Sequence, residues 1–124
     1  MILGLEHTAI ASPDPRQLAD WYVSTLGFTI NYQSAATTFV KAPNGYMIEM
    51  ITSEGARAGG GMKEPGLRHL AVLVNDFEQV YAELRAKNVH FLTEPAENKG
   101  NKLAFFTDPE GNILHLLERA TPLP

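Results

Sequence analysis

The chain of 124 residues contains no cysteine. That absence removes thiolate catalysis, disulfide bridges and cysteine-type zinc sites together. No apolar run approaches the roughly 20 residues that span a bilayer as a helix. No basic tract is present either: 10 lysines and arginines stand against 14 acidic residues, for a net charge of −4. Nucleic acid and anionic membrane surfaces are therefore not expected partners. Met1 leads straight into an apolar segment, with no charged leader, hydrophobic core or cleavage site, so the expected location is cytoplasmic. Glycine is not scarce, but it collects in turns and in one segment, 53–66, the only linker-like stretch. Its three consecutive glycines lack the Lys-Ser/Thr that would make a phosphate loop.

What the chain does contain is a pattern written twice. Pro43-Asn44-Gly45-Tyr46-Met47-Ile48-Glu49-Met50 and Pro109-Glu110-Gly111-Asn112-Ile113-Leu114-His115-Leu116 share a Pro-x-Gly turn running into a short apolar strand. Each copy places one polar residue four positions after the glycine, Glu49 in the first and His115 in the second. Leu5-Glu6-His7-Thr8-Ala9-Ile10 and Leu67-Arg68-His69-Leu70-Ala71-Val72 repeat in the same way. Each half thus opens on a strand with a histidine and closes on a strand with a metal-capable side chain.

Between these strands the local signals agree. Residues 3–11 alternate and predict a strand. Asp14 is a good helix N-cap and Pro15 suits the first helical position. Leu18, Trp21, Tyr22 and Leu26 then recur at helical spacing until Gly27 supplies a left-handed stop. Strands are predicted over 28–33, 36–41 and 46–52. The second half repeats the order: a strand over 67–74, then a helix capped at Asn75-Asp76 with Phe77, Val80, Tyr81 and Leu84 on its apolar face. Asn88 follows as a left-handed terminus, and strands follow near 89–93, 102–107 and 112–118. The segment 94–101 reads as a loop. The expectation is one α+β domain, 1–124, made of two tandem β-α-β-β-β modules (1–52 and 67–124) joined by the glycine-rich connection. A mixed sheet is expected, with helices on the outside and a curved, concave interior.

Side chains alternate across a strand, so His7 shares a face with Leu5 and Ala9, and Glu49 with Met47 and Ile51. His69 goes with Leu67, Ala71 and Leu73, and His115 with Ile113 and Leu117. The opposite face carries Ile10, Ile48, Met50, Leu70, Val72, Leu114 and Leu116, so both faces are expected to be covered, the second by helices. Any one of these four polar residues alone would read as a hydrogen-bonded core group. Four at equivalent positions of a repeat point to convergence on one divalent metal, which a mixed imidazole and carboxylate set suits. Trp21, Tyr22, Phe77, Tyr81 and Phe105 read as core, His90 as an unpaired surface or core residue, and Glu118 as exposed. Arg57, Lys63, Lys99 and Lys102 sit in the two long loops, where solvation is the plain reading and an anionic substrate the functional one.

Glu6-His7-Thr8-Ala9-Ile10, Trp21-Tyr22 through Leu26-Gly27-Phe28, Ile48-Glu49-Met50, His69-Leu70-Ala71-Val72 and Phe106-Thr107-Asp108-Pro109-Glu110-Gly111-Asn112 together resemble the vicinal oxygen chelate superfamily. That group includes lactoylglutathione lyases, extradiol dioxygenases, fosfomycin-resistance proteins, methylmalonyl-CoA epimerases and bleomycin-resistance proteins. The resemblance covers essentially the whole chain and implies paired modules, an open, cup-shaped sheet and a divalent metal held by His7, Glu49, His69 and His115. His115 departs from the glutamate usual at the fourth position, and the chain lacks the longer insertions of many lyases. A lactoylglutathione activity is therefore not expected.

The leading expectation is a metal-dependent enzyme of lyase or isomerase type acting on a small substrate with two adjacent oxygens. The metal would act as a Lewis acid, and Glu49 or His115 would move a proton. Zinc and nickel are favoured, with iron, cobalt and manganese also compatible. The resemblance further implies a homodimer. One rival is a metal-free, drug- or metabolite-sequestering protein of the bleomycin-resistance type; another is an extradiol-type dioxygenase.

Overall fold

A computed structural model describes residues 1–57 and 59–124; Ala58, inside the expected connection, lies outside them. The chain divides into two compact units, Met1–Arg57 and Ala58–Pro124, with the boundary inside the glycine-rich segment. The architecture of the described residues is α+β, with two helices and two mixed sheets.

The first unit runs β1 (His7–Ser12), α1 (Pro15–Leu26), β2 (Thr29–Gln33), β3 (Thr37–Lys41) and β4 (Met47–Thr52). Its sheet has the order β1-β4-β3-β2, with β1 parallel to β4 and the other neighbours antiparallel. The helix starts where the sequence says it should. The Asp14 carboxylate accepts from the Gln17 amide, Pro15 occupies the first turn, and Gly27 ends the helix at φ 75°. Gly27 N–H reaches the Val23 carbonyl at 3.1 Å and Phe28 N–H the Tyr22 carbonyl at 3.3 Å, which closes a left-handed C-cap. The helix packs on all four strands and buries Leu18, Ala19 and Tyr22 against Val40, Ile48 and Met50.

The second unit runs β5 (Leu70–Leu73), α2 (Phe77–Ala86), β6 (His90–Phe91), β7 (Ala96–Asn98), β8 (Asn101–Thr107) and β9 (Ile113–Glu118). Its sheet order is β5-β9-β8-β6, with β5 parallel to β9 and β7 paired to β8. Asp76 caps α2, accepting from the Gln79 amide. Asn88 stands at φ 61°, with Asn88 N–H on the Arg85 carbonyl and Val89 N–H on the Leu84 carbonyl. These are the two bonds of a Schellman motif. Phe77, Leu84, Val89, Phe106, Leu114 and Leu116 form the buried core.

Two expectations need correction. The segment 94–101 is not a plain loop: Ala96–Asn98 pairs antiparallel with β8 through a two-residue turn at Lys99 (φ 53°) and Gly100 (φ 82°). Consecutive positive φ values match the right-handed twist of a hairpin. Gly100 is required there, since a Cβ would meet the Ala120 Cβ at 2.8 Å. The opening strands are also shorter than expected. β1 begins at His7 because its partner β4 begins at Met47, in register with it; Leu3 and Leu5 stay outside the ladder, 93% and 89% exposed.

The duplicated turns match bond for bond. Ala42 N–H reaches the Tyr46 carbonyl at 2.8 Å and Asp108 N–H the Asn112 carbonyl at 3.0 Å, while Gly45 and Gly111 N–H reach the carbonyls of Ala42 and Asp108. Both glycines have positive φ, 93° and 89°. The first copy adds one side-chain bond, Tyr46 N–H to Asn44 Oδ1 at 3.2 Å; the second adds a fuller clasp. The buried Asp108 carboxylate accepts from the Glu110 amide, the Asn112 amide and the Asn112 side chain.

Candidate functional site

The four sequence-predicted residues fall into two pairs, one on each sheet. In the first unit, Ala9 is in register with Glu49 across the parallel β1–β4 ladder, which leaves His7 one pleat away on the same face. His7 Nε2 stands 3.4 Å from Glu49 Oε1, with the two side chains 35% and 23% exposed. Both groups are held from behind. Glu6 Oε1 lies 2.9 Å from His7 Nδ1, and the Thr37 hydroxyl donates to Glu49 Oε2 at 2.9 Å. With Nδ1–H given to Glu6, the Nε2 lone pair faces a carboxylate oxygen. Such a contact is favourable only with a cation between the two atoms, either a proton on Nε2 or a metal ion.

In the second unit, Ala71 is in register with His115 across the parallel β5–β9 ladder. His69 immediately precedes β5, and its ring centroid lies 5.1 Å from that of His115. Both ring nitrogens of His115 are buried without a hydrogen-bond partner. Burial holds its pKa below the ordinary 6.5, with the neighbouring His69 and Arg119 charges acting in the same direction. The imidazole is thus neutral near pH 7, with a lone pair to give. Unpartnered buried polar atoms are uncommon in native proteins and call for a physical reason. A nitrogen lone pair reserved for a cation is one, and it is the observation by which this donor set fits a divalent metal.

Two aromatic residues that the sequence reading did not place at the site complete the pairs. Phe39 on β3 is in register with Glu49, and Phe105 on β8 with His115. Each phenyl ring meets its histidine edge-on, Phe39–His7 at 5.2 Å and 72°, and Phe105–His69 at 5.4 Å and 81°. Phe105 also lies 4.7 Å from the His115 ring. Phe105 was expected only in the core; it borders the histidine pair. The signal was available, because Phe39 and Phe105 have the same spacing in the repeat as Glu49 and His115.

The expectation that both sheet faces are covered holds for the helix-facing side only. The face bearing the polar residues is open at Ile51 (37% exposed) and Leu73 (70%). Among the described residues, no three histidine or acidic side chains stand close enough together to hold one metal ion. Of the four cations expected in the loops, Lys102 instead lies on β8, its ammonium 2.8 Å from Glu78. His90 forms part of β6, in register with Thr107 on β8. No helix is long and apolar enough to cross a membrane among the described residues.

Comparison with known proteins agrees with this fold. Residues 4–116 match the model of the Glyoxalase/Bleomycin resistance protein/Dioxygenase superfamily, and the chain belongs to that superfamily. A protein of Escherichia coli (strain K12), "Uncharacterized protein YaeR", is 34% identical over 95% of this chain and 100% of its own. Among solved structures, "Oxidase ChaP-H2" is similar at 27% identity and a TM-score of 0.77, covering 96% of this chain and 95% of that one. The glyoxalase family protein from Enterococcus faecalis is 26% identical with a TM-score of 0.79, covering 94% of this chain and 98% of that one. Members of the superfamily bind small molecules.

Proposed function

We propose that the chain is a metal-dependent enzyme that moves a proton on a small substrate carrying two adjacent oxygens, in lyase or isomerase fashion. The candidate ligands are His7 with Glu49 on the first sheet and His69 with His115 on the second, with zinc or nickel favoured. The observation that carries this reading is His115, whose two ring nitrogens are buried with nothing to bond. A bound divalent ion would supply a Lewis acid for the two substrate oxygens.

The protein's own groups divide the remaining work. Glu6 fixes the His7 ring through Nδ1 and so directs Nε2 toward the Glu49 carboxylate. Phe39 and Phe105 exclude water beside the two pairs, which strengthens every electrostatic contact made there. Glu49 or His115 takes the proton, and the depressed pKa of His115 keeps it in the accepting form at neutral pH. Exposed Leu73 and Ile51, on the strand faces that carry the polar residues, support assembly as a homodimer.

The test is the metal content of protein purified without chelator, set against the His7→Ala and His115→Ala variants. Stoichiometric zinc or nickel in the parent and a sharp loss in both variants is expected. Equal and negligible metal in all three removes the enzyme and leaves a metal-free ligand-binding protein.

A further inference from the structure

We infer that Thr37 is a positioning residue for Glu49, holding one oxygen of its carboxylate so that the other alone is offered to a cation. The inference rests on the reading of Glu49 as a metal ligand and adds to it the group that sets its orientation.

The geometry is specific. Thr37 Oγ1 is 2.9 Å from Glu49 Oε2 and 3.1 Å from the Met50 carbonyl. A hydroxyl has one hydrogen to donate, so these two acceptors compete for it. The carboxylate is the stronger acceptor because its bond is charge-assisted. The Met50 carbonyl gives the hydroxyl an alternative that needs no movement of the strand. Glu49 Oε1 is then the oxygen left facing His7 Nε2, at 3.4 Å.

The repeat supplies the second, independent argument. Thr37 is in register with Ile51 on β4, and its counterpart Leu103 is in register with Leu117 on β9. The same site two residues before the phenylalanine therefore carries a hydroxyl in the half with the acid and an isobutyl group in the half with the imidazole. A leucine beside His115 leaves both ring nitrogens without a partner, whereas a threonine beside Glu49 occupies one of its two oxygens. The donor appears where there is an anion to orient. A threonine kept for strand propensity alone would have no reason to follow the ligand type.

The experiment titrates the metal-free full chain with Co²⁺ alone, reading affinity by calorimetry and the ligand field by visible absorption, for the parent, Thr37→Val, Thr37→Ser and Glu49→Gln. Thermal melts of each apoprotein establish that it is folded. Loss of a hydrogen bond behind a metal ligand weakens binding about 10- to 100-fold. Thr37→Val is expected to bind Co²⁺ about tenfold more weakly with shifted absorption bands, and Thr37→Ser to restore both. Glu49→Gln is expected to lose more than Thr37→Val.

Parental affinity and spectrum in Thr37→Val, beside a weakened Glu49→Gln, overturns the role of Thr37 and spares that of Glu49. If Thr37→Ser behaves like Thr37→Val, the methyl group matters rather than the hydroxyl, and the inference fails again. Parental binding by Glu49→Gln overturns the ligand reading itself, and Thr37 falls with it.

Discussion

Replacing His115 by leucine should make the metal-free protein more stable while abolishing its response to metal. Both His115 ring nitrogens are buried and unpartnered, and a buried polar group without a partner costs about 1–3 kcal/mol. Leucine fills similar space against Phe105 and His69 and carries no such penalty. For a chain of this length 1 kcal/mol corresponds to roughly 3–6 °C in melting temperature, so relief of about 1–3 kcal/mol should raise the melting temperature of the apoprotein by about 3–18 °C. Metal present at 100 times its dissociation constant should add about 2.7 kcal/mol to the parent and nothing to His115→Leu.

The pH profile sharpens the same test. The folded-state pKa of His115 lies below its unfolded value, so between the two the unfolded chain binds more protons than the folded one. Stability is therefore full above the unfolded pKa near 6.5 and falls as pH drops from there toward the folded pKa. His115→Leu should lack that component of the acid loss. Calorimetric melts from pH 5 to 8, with chelator and with added Zn²⁺, measure both effects. A leucine variant that melts below the parent in chelator, or a parent indifferent to every divalent ion tried, refutes the reasoning.

Three further outcomes follow from the packing. Asp108→Ala should cost about 1–3 kcal/mol in urea denaturation, because the buried carboxylate accepts from two backbone amides and the Asn112 side chain; an unchanged midpoint contradicts the clasp. Gly100→Ala should destabilise by about 1–2 kcal/mol, combining φ 82° with a 2.8 Å approach to Ala120, and a change within error would show that the hairpin turn relaxes freely. Leu73→Glu should shift a homodimer to monomer in sedimentation equilibrium, since Leu73 is 70% exposed on the histidine-bearing face; an unchanged mass excludes that face as the dimer contact.

Much of the fold was legible because its boundaries rest on local chemistry. Asp14, Pro15 and Gly27 set α1, and Asp76 and Asn88 set α2, each through bonds within one turn of the chain. β7 was missed for the matching reason. Ala96-Glu97-Asn98 has no apolar alternation, and its turn places Lys99, a residue without the usual preference for positive φ, at 53°. The pairings His7 with Glu49 and His69 with His115 could be anticipated from face parity and the repeat. Phe39 and Phe105 were marked by the same repeat spacing but not read from it, whereas the place of Thr37 beside Glu49 depends on antiparallel register, which a strand's own residues do not state.

The separation of the two sheets has a consequence for how such a protein changes over time. Every ladder bond of β1–β4 closes within the first unit, and every one of β5–β9 within the second. An exchange of acid for imidazole in one half therefore disturbs no main-chain pairing in the other. Duplication of a unit built this way permits a division of labour, in which one copy keeps an anchored anion and its sister drifts toward a neutral base while both retain the same scaffold.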